Sequence, residues 1–211
     1  MQVHDLSVPI LDGVDWYREA DCPPVSLQRV GGLDECGWVS HQVSLMVLNG
    51  TTYAETAAHL YSDAPTLDQL PPEKLILRAH VVALRPESQR LPAPAADLAD
   101  FTPGTDALLI HSGWDAHLRE PRYYSASPYF SEELQRWIFA HRPAILGGDM
   151  LSFDHPQDAA MPFLRGYFRS GGVIVCPLIG LGPLVGREVT LCVAPLRLQG
   201  ASAAPCRVFA W

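Results

Sequence analysis

The sequence predicts a single α/β domain over residues 1–211, on three observations. Its 211 residues are 48% hydrophobic, enough for one domain with a substantial core. Short apolar runs of the buried-strand kind recur, among them Ala107–Ile110, Ala144–Gly148 and Val173–Val175. Between them lie two stretches of helical character, so that strands and helices alternate.

The elements follow in order. Leu6–Ile10 reads as a strand, Asp12-Gly13 as a turn, and Tyr17–Pro24 as an irregular loop rich in proline and acid. Val30-Gly31-Gly32-Leu33-Asp34 reads as a turn between two strands, the second near Gly37–Leu48. In that second strand Gln42, Ser44 and Met46 share one face and Val43, Leu45 and Val47 the other. Leu75–Leu84 alternates weakly and reads as a strand. Pro86–Pro103 is polar and rich in proline, a surface connection with a short helix near Ala95–Leu98. The clearest helix opens with Ser131 as N-cap and with Glu132 and Glu133 beside the positive end of its dipole. Leu134, Trp137, Ile138 and His141 form its apolar face, and Arg142-Pro143 ends it. Met161–Gly171 reads as a second helix, with Pro162 in its first turn and Gly171-Gly172 as its stop. Val173–Val175 is a strand with Cys176 at its end, and Val189–Leu198 and Cys206–Phe209 complete the sheet.

Composition narrows the function. A net charge of −8, with arginines scattered rather than clustered, argues against nucleic acid. No basic n-region followed by an apolar h-region opens the chain, and no apolar run reaches membrane-spanning length. The expectation is a soluble, cytoplasmic protein without a membrane partner. Five cysteines, with no C-x-x-C, read as thiols rather than disulfides. No glycine-rich phosphate loop supports a nucleotide site.

One stretch carries the chemistry. In Asn49-Gly50-Thr51-Thr52-Tyr53-Ala54-Glu55-Thr56-Ala57-Ala58-His59, four polar side chains, Asn49, Tyr53, Glu55 and His59, follow the alternating run. The pattern reads as a strand delivering acid/base groups into a site. The stretch resembles the signature of the cyclase family, H-x-G-T-H-x-D-x-P-x-H, which includes bacterial kynurenine formamidase and isatin hydrolase. His4-Asp5-Leu6-Ser7-Val8-Pro9-Ile10 is similar to the family's opening. Leu108–Trp114 is similar to its L-L-I-x-T-G-W strand, Gly147–Asp154 to its G-x-D-x-x-S-x-D, and Asp68-Gln69-Leu70-Pro71 to its D-E-L-P turn. The resemblance implies a twisted mixed sheet, barrel-like and flanked by helices, in a homodimer or homotetramer.

Family ligands to a divalent metal fall here on Asn49, Tyr53, Glu55, Leu164 and Cys176. Leucine cannot ligate, neutral Asn and Tyr are poor ligands, and one Glu with one His is too few for zinc. The reading is therefore a metal-free site with no cofactor.

By resemblance His59 stands on the proposed acid/base histidine, and an imidazole exchanges protons near neutral pH. Glu55 could orient it or act as base itself. Tyr53 could donate to a developing oxyanion, and Asn49 could position the same carbonyl. Cys176 is either a nucleophile beside the imidazole or a buried thiol. Asp149 and Asp154 match family positions near the site, one to hold a loop and the other to serve as a substrate donor, and Asp149 is read with the substrate-binding residues. Trp16, Tyr17 and Trp38 either line a pocket for a flat substrate or fill core or interface. The reading that results is a metal-independent enzyme acting on a small carbonyl substrate by cyclisation, dehydration, or amide or lactone hydrolysis. The alternatives are a metal-dependent arylformamidase-like hydrolase and a non-catalytic binding protein on the same fold.

Overall fold

Alternation along one short strand decides which side of the sheet becomes the inside. In Val173–Cys176, Val173 and Val175 belong to one buried cluster and Ile174 and Cys176 to another. The first cluster also takes Ala79, Val81, Leu109, Leu191, Val193 and Val208, and it fills the interior of a closed sheet. The second takes Leu108, Ile110 and Leu146 together with helix residues Leu134, Ile138, Phe163 and Tyr167, so it lies between the outside of the sheet and the helices.

The computed structural model describes residues 2–17, 22–95, 98 and 100–211. Its strands are β1 (His4–Asp5), β2 (Ser26–Gly31), β3 (Ser40–Ser44), β4 (Tyr53–Glu55), β5 (Ile76–Ala83), β6 (Arg90–Leu91), β7 (Ala107–His111), β8 (Tyr129–Phe130), β9 (Ile145–Gly148), β10 (Val173–Cys176), β11 (Glu188–Pro195) and β12 (Ala203–Ala210). The helices are α1 (Leu33–Cys36), α2 (Glu132–His141) and α3 (Pro162–Arg169). The main sheet runs β1-β12-β11-β5-β7-β9-β10-β4, and β4 pairs again with β12. Seven strands thus close into a barrel-like ring, with β1 added against the end of β12. β5, β7, β9 and β10 are parallel, and the remaining pairs of the ring are antiparallel. The parallel steps β7 to β9 and β9 to β10 are crossed by α2 and α3, whose apolar faces cover the outside of the sheet.

The sheet is the mixed, barrel-like one expected, and α2 begins as its sequence directs: Ser131 Oγ accepts from the Leu134 N–H at 3.2 Å. Three elements differ. The strand read at Leu6–Ile10 is His4–Asp5 instead. The Val8 N–H goes to Thr52 Oγ1 at 2.8 Å and Pro9 has no N–H, so no ladder continues there. The strand read at Gly37–Leu48 is only Ser40–Ser44, and it pairs with β2 in a separate hairpin rather than running into β4. Its alternation reflects a ribbon solvated on both faces, and a turn closed by Asn49 N–H to Met46 O separates it from the signature stretch. Trp38 lies in this hairpin, 52% exposed and packed over Gly31. The helix read near Ala95–Leu98 falls largely outside the described residues.

Among the cysteines, Cys176 and Cys206 are buried thiols and Cys36 is exposed. Among the described residues no helix is long and apolar enough to cross a membrane.

Candidate active site

β4 is three residues long and fully buried, and its pleat sorts the signature side chains. Ala54 points into the barrel, while Tyr53 and Glu55 point outward toward the helices. A single 3-10 turn, Ala57–His59, then brings His59 back over Glu55. These three residues line one end of a cavity of about 270 Å³. Its walls are apolar, from Leu48, Leu151, Phe153, Met161, Leu164 and Ile174, with Ser152 and Asp154 as polar members. Tyr17 and Tyr124 also line it, their rings 4.6 Å apart.

Glu55 is 3% exposed, and burial alone pushes its carboxyl up to about 8. Its Oε1 lies 3.1 Å from His59 Nδ1 but off the direction of a ring N–H, so it receives no hydrogen bond there or from any other described residue. His59 is half-buried. Burial first, and then the positive charge of Arg165, hold its imidazole below the ordinary histidine range. At neutral pH the pair is therefore a protonated acid beside a neutral base.

Burial drives the Tyr53 phenol and the Cys176 thiol well up from their ordinary values. Cys176 pairs with Tyr53 across β10 and β4, fully buried beneath it and away from the cavity wall. A neutral, inaccessible thiol is a packing partner and not a nucleophile.

Of the other residues singled out in the sequence, Tyr17, Asp154 and Leu164 line this cavity, and Asn49, Trp16, Asp149 and Cys176 do not. Asn49 is fully buried, and its Oδ1 accepts from the Trp16 N–H at 2.9 Å while its Nδ2 donates to Asp15 Oδ1 at 3.1 Å. It anchors the N-terminal loop. Trp16 packs at 5.5 Å against the buried Tyr123 ring and donates from its indole to Leu118 O, whereas its neighbour Tyr17 turns to the cavity. Asp149 accepts from Ser112 N–H, Ser112 Oγ and Gly113 N–H, which fixes the turn after β7. Asp154 lines the cavity and also caps α3, accepting from the Phe163 and Leu164 N–H groups at 2.9 Å. Asn49→Ala should cost about 1–3 kcal/mol in a denaturant melt, because it strands the buried Trp16 N–H. Tyr124, Leu151, Ser152, Phe153 and Met161 went unread in the sequence as site residues. Leu151, Ser152 and Phe153 lie inside the G-x-D-x-x-S-x-D stretch, the only signal for them.

The donor set does not fit a divalent metal. Glu55 and His59 supply two ligands, Tyr53 is a neutral phenol, the Asn49 amide is engaged elsewhere, and Leu164 supplies none. Among the described residues the one group of three His, Cys, Asp or Glu donors within 4.8 Å of one another is His111, Asp115 and Asp149, away from this cavity. Its oxygens already serve the turn after β7 and the Gly180 N–H.

A seven-stranded α/β barrel with an acid/base pair at the foot of an apolar cavity outside β4 is the class that fold and site define. Residues 4–155 match the family model described as "Putative cyclase", and the chain belongs to the cyclase family. No curated protein sequence matches it significantly. Isatin hydrolase A from Ralstonia solanacearum is 19% identical and superposes with a TM-score of 0.84 over 99% of this chain and 91% of that one. An isatin hydrolase bound to the product analogue thioisatinate is 16% identical, with a TM-score of 0.82 over 99% and 91%. A protein of Bacillus stearothermophilus described as a predicted metal-dependent hydrolase is 19% identical, with a TM-score of 0.79 over 99% and 97%.

Proposed function

We propose that the protein is a metal-independent enzyme of the cyclase family, acting on a small carbonyl compound by acid/base catalysis. The observation that carries this reading is the Glu55–His59 pair, a buried acid and a neutral imidazole 3.1 Å apart facing a ligand-sized cavity. Glu55 gives a proton to an oxygen of the substrate, and His59 takes one from it. The apolar walls exclude water from Glu55, and Tyr17 and Tyr124 hold the body of the substrate. Tyr53, buried beside Glu55 on β4, forms part of the cavity floor. The family's solved relatives, hydrolases by their descriptions, support an enzyme on this fold.

The test is turnover of a panel of cyclic and hydroxylated carbonyl compounds after exhaustive chelation, with the metal content of the protein measured alongside. Activity that survives chelation is expected. Activity lost on chelation and restored by zinc or manganese would sink the reading. The rate should form a plateau. Its acid limb falls below the ordinary histidine range, as His59 protonates, and its basic limb lies near pH 8, as Glu55 loses its proton.

A further inference from the structure

We propose that the substrate carries a carboxylate, and that Arg165 at the rim of the cavity is the residue that selects it. This rests on the acid/base reading above and gives it a substrate class and a residue that sets specificity.

Three contacts place Arg165 beside the cavity. Its helix neighbours Met161 and Leu164 line the wall, while its own side chain is exposed. Its Nε donates to Ala160 O at 2.9 Å, which folds the side chain back toward the start of α3, where that wall is made. Its carbonyl accepts from the Tyr61 hydroxyl at 3.3 Å, so α3 is fastened to the segment that carries His59. The guanidinium is near enough to His59 for its charge to act, after burial, on the imidazole.

That guanidinium has no counter-charge. Among the described residues neither Arg165 nor Arg169, one turn later, pairs with a carboxylate, and Arg169 lies over the Tyr61 ring at 4.3 Å. Like charges at i and i+4 repel, and an anion seated beside them relieves that cost. The acids of the cavity oppose an anion little. Burial holds Glu55 protonated, and Asp154 already accepts from two backbone N–H groups of α3. A carboxylate is costly to bury among Leu48, Leu151, Phe153 and Ile174, so the anionic end stays at the wet rim and the apolar body fills the walls. Nη1 and Nη2 of Arg165 make no hydrogen bond among the described residues, and they present the paired donors that a carboxylate fits. From that anchor the carbonyl of a short-chain acid reaches His59 and Glu55.

Probes that share a phenyl ring and a short chain but differ in charge test the inference: 3-phenylpropanoate, 3-phenylpropanamide and 3-phenylpropylamine. Calorimetry or ligand-observed NMR gives the affinities at low and at high salt. The carboxylate should bind about five- to tenfold tighter than the amide at low salt, as one half-solvated, charge-assisted contact allows, and the amine should bind weakest. High salt should shrink the gap. Arg165→Gln should erase it and Arg165→Lys should keep part of it. The side chain is exposed, so both variants should melt close to the parent. An NMR titration of the His59 ring gives a second readout. Arg165→Gln should raise its midpoint, because a cation that disfavours the imidazolium is gone. Saturating 3-phenylpropanoate should raise the parent's midpoint by more than 3-phenylpropanamide does. Equal binding of the amide, a carboxylate preference that survives Arg165→Gln, or binding of none of the probes overturns the inference. Chelation-resistant, His59-dependent turnover of an uncharged carbonyl compound, with no such preference, would leave the proposed function standing while this inference falls. Turnover that needs zinc or manganese, with an Arg165-dependent preference for the carboxylate, would do the reverse.

Discussion

His59→Ala should lower turnover by about 10²–10⁴-fold while leaving substrate affinity within a few-fold of the parent, since positioned proton transfer supplies that much and the walls supply the binding. The side chain is half-buried at the cavity's edge and makes no ordered hydrogen bond that the fold depends on, so the variant should melt close to the parent. Single-turnover rates measured against pH give the sharper evidence. The parent should lose rate on the acid side as His59 takes a proton, and the alanine variant should lose that limb while keeping the basic limb near pH 8, which belongs to Glu55. An added imidazole should restore part of the rate if His59 acts as a base in the vacated space. A variant slowed with both limbs intact would place His59 in a merely structural role.

Much of the scaffold was legible because its signals are local. Val173–Val175 and Ala107–Ile110 are apolar runs whose burial on both faces needs no knowledge of their neighbours, and both are strands of the closed sheet. Ser131 with Glu132 and Glu133 marks a helix start by chemistry that acts within one turn. The signature stretch placed Glu55 and His59 near one another, and the pleat of β4 with the turn after it brings them together. What was not legible depends on contacts made far along the chain. Trp16 and Tyr17 are adjacent in a loop with no period to sort them, and one enters the core while the other faces the cavity. Asn49 looked like a site residue because polar groups cluster around it, yet its amide satisfies the Trp16 N–H, 33 residues earlier. The alternation of Gln42–Val47 was real but belonged to an exposed hairpin. Period two reports a strand and does not report which sheet, or how much water, it faces.

The Glu55 carboxyl should make stability depend on pH in a direction opposite to that of most acids. Its pKa rises from 4.5 to about 8 on folding, so the folded state holds a proton that the unfolded chain releases. Below 4.5 the group is protonated in both states and contributes no penalty. As pH climbs from 4.5 to 8 the unfolded chain gains the ionised form, and stability falls. Above about 8 the folded state must bury a carboxylate, and the penalty is complete. The shift corresponds to about 5 kcal/mol, or on the order of 10 °C in melting temperature for a chain of this size. Glu55→Gln has no such titration. Its melting temperature relative to the parent should therefore rise between pH 5 and pH 9 by that amount, whatever constant offset its unmet amide N–H introduces. Calorimetric melts at the two pH values measure this directly. A constant difference would mean that Glu55 is ionised in the fold at neutral pH. The proton donor of the proposed reaction would then have to be sought elsewhere in the cavity.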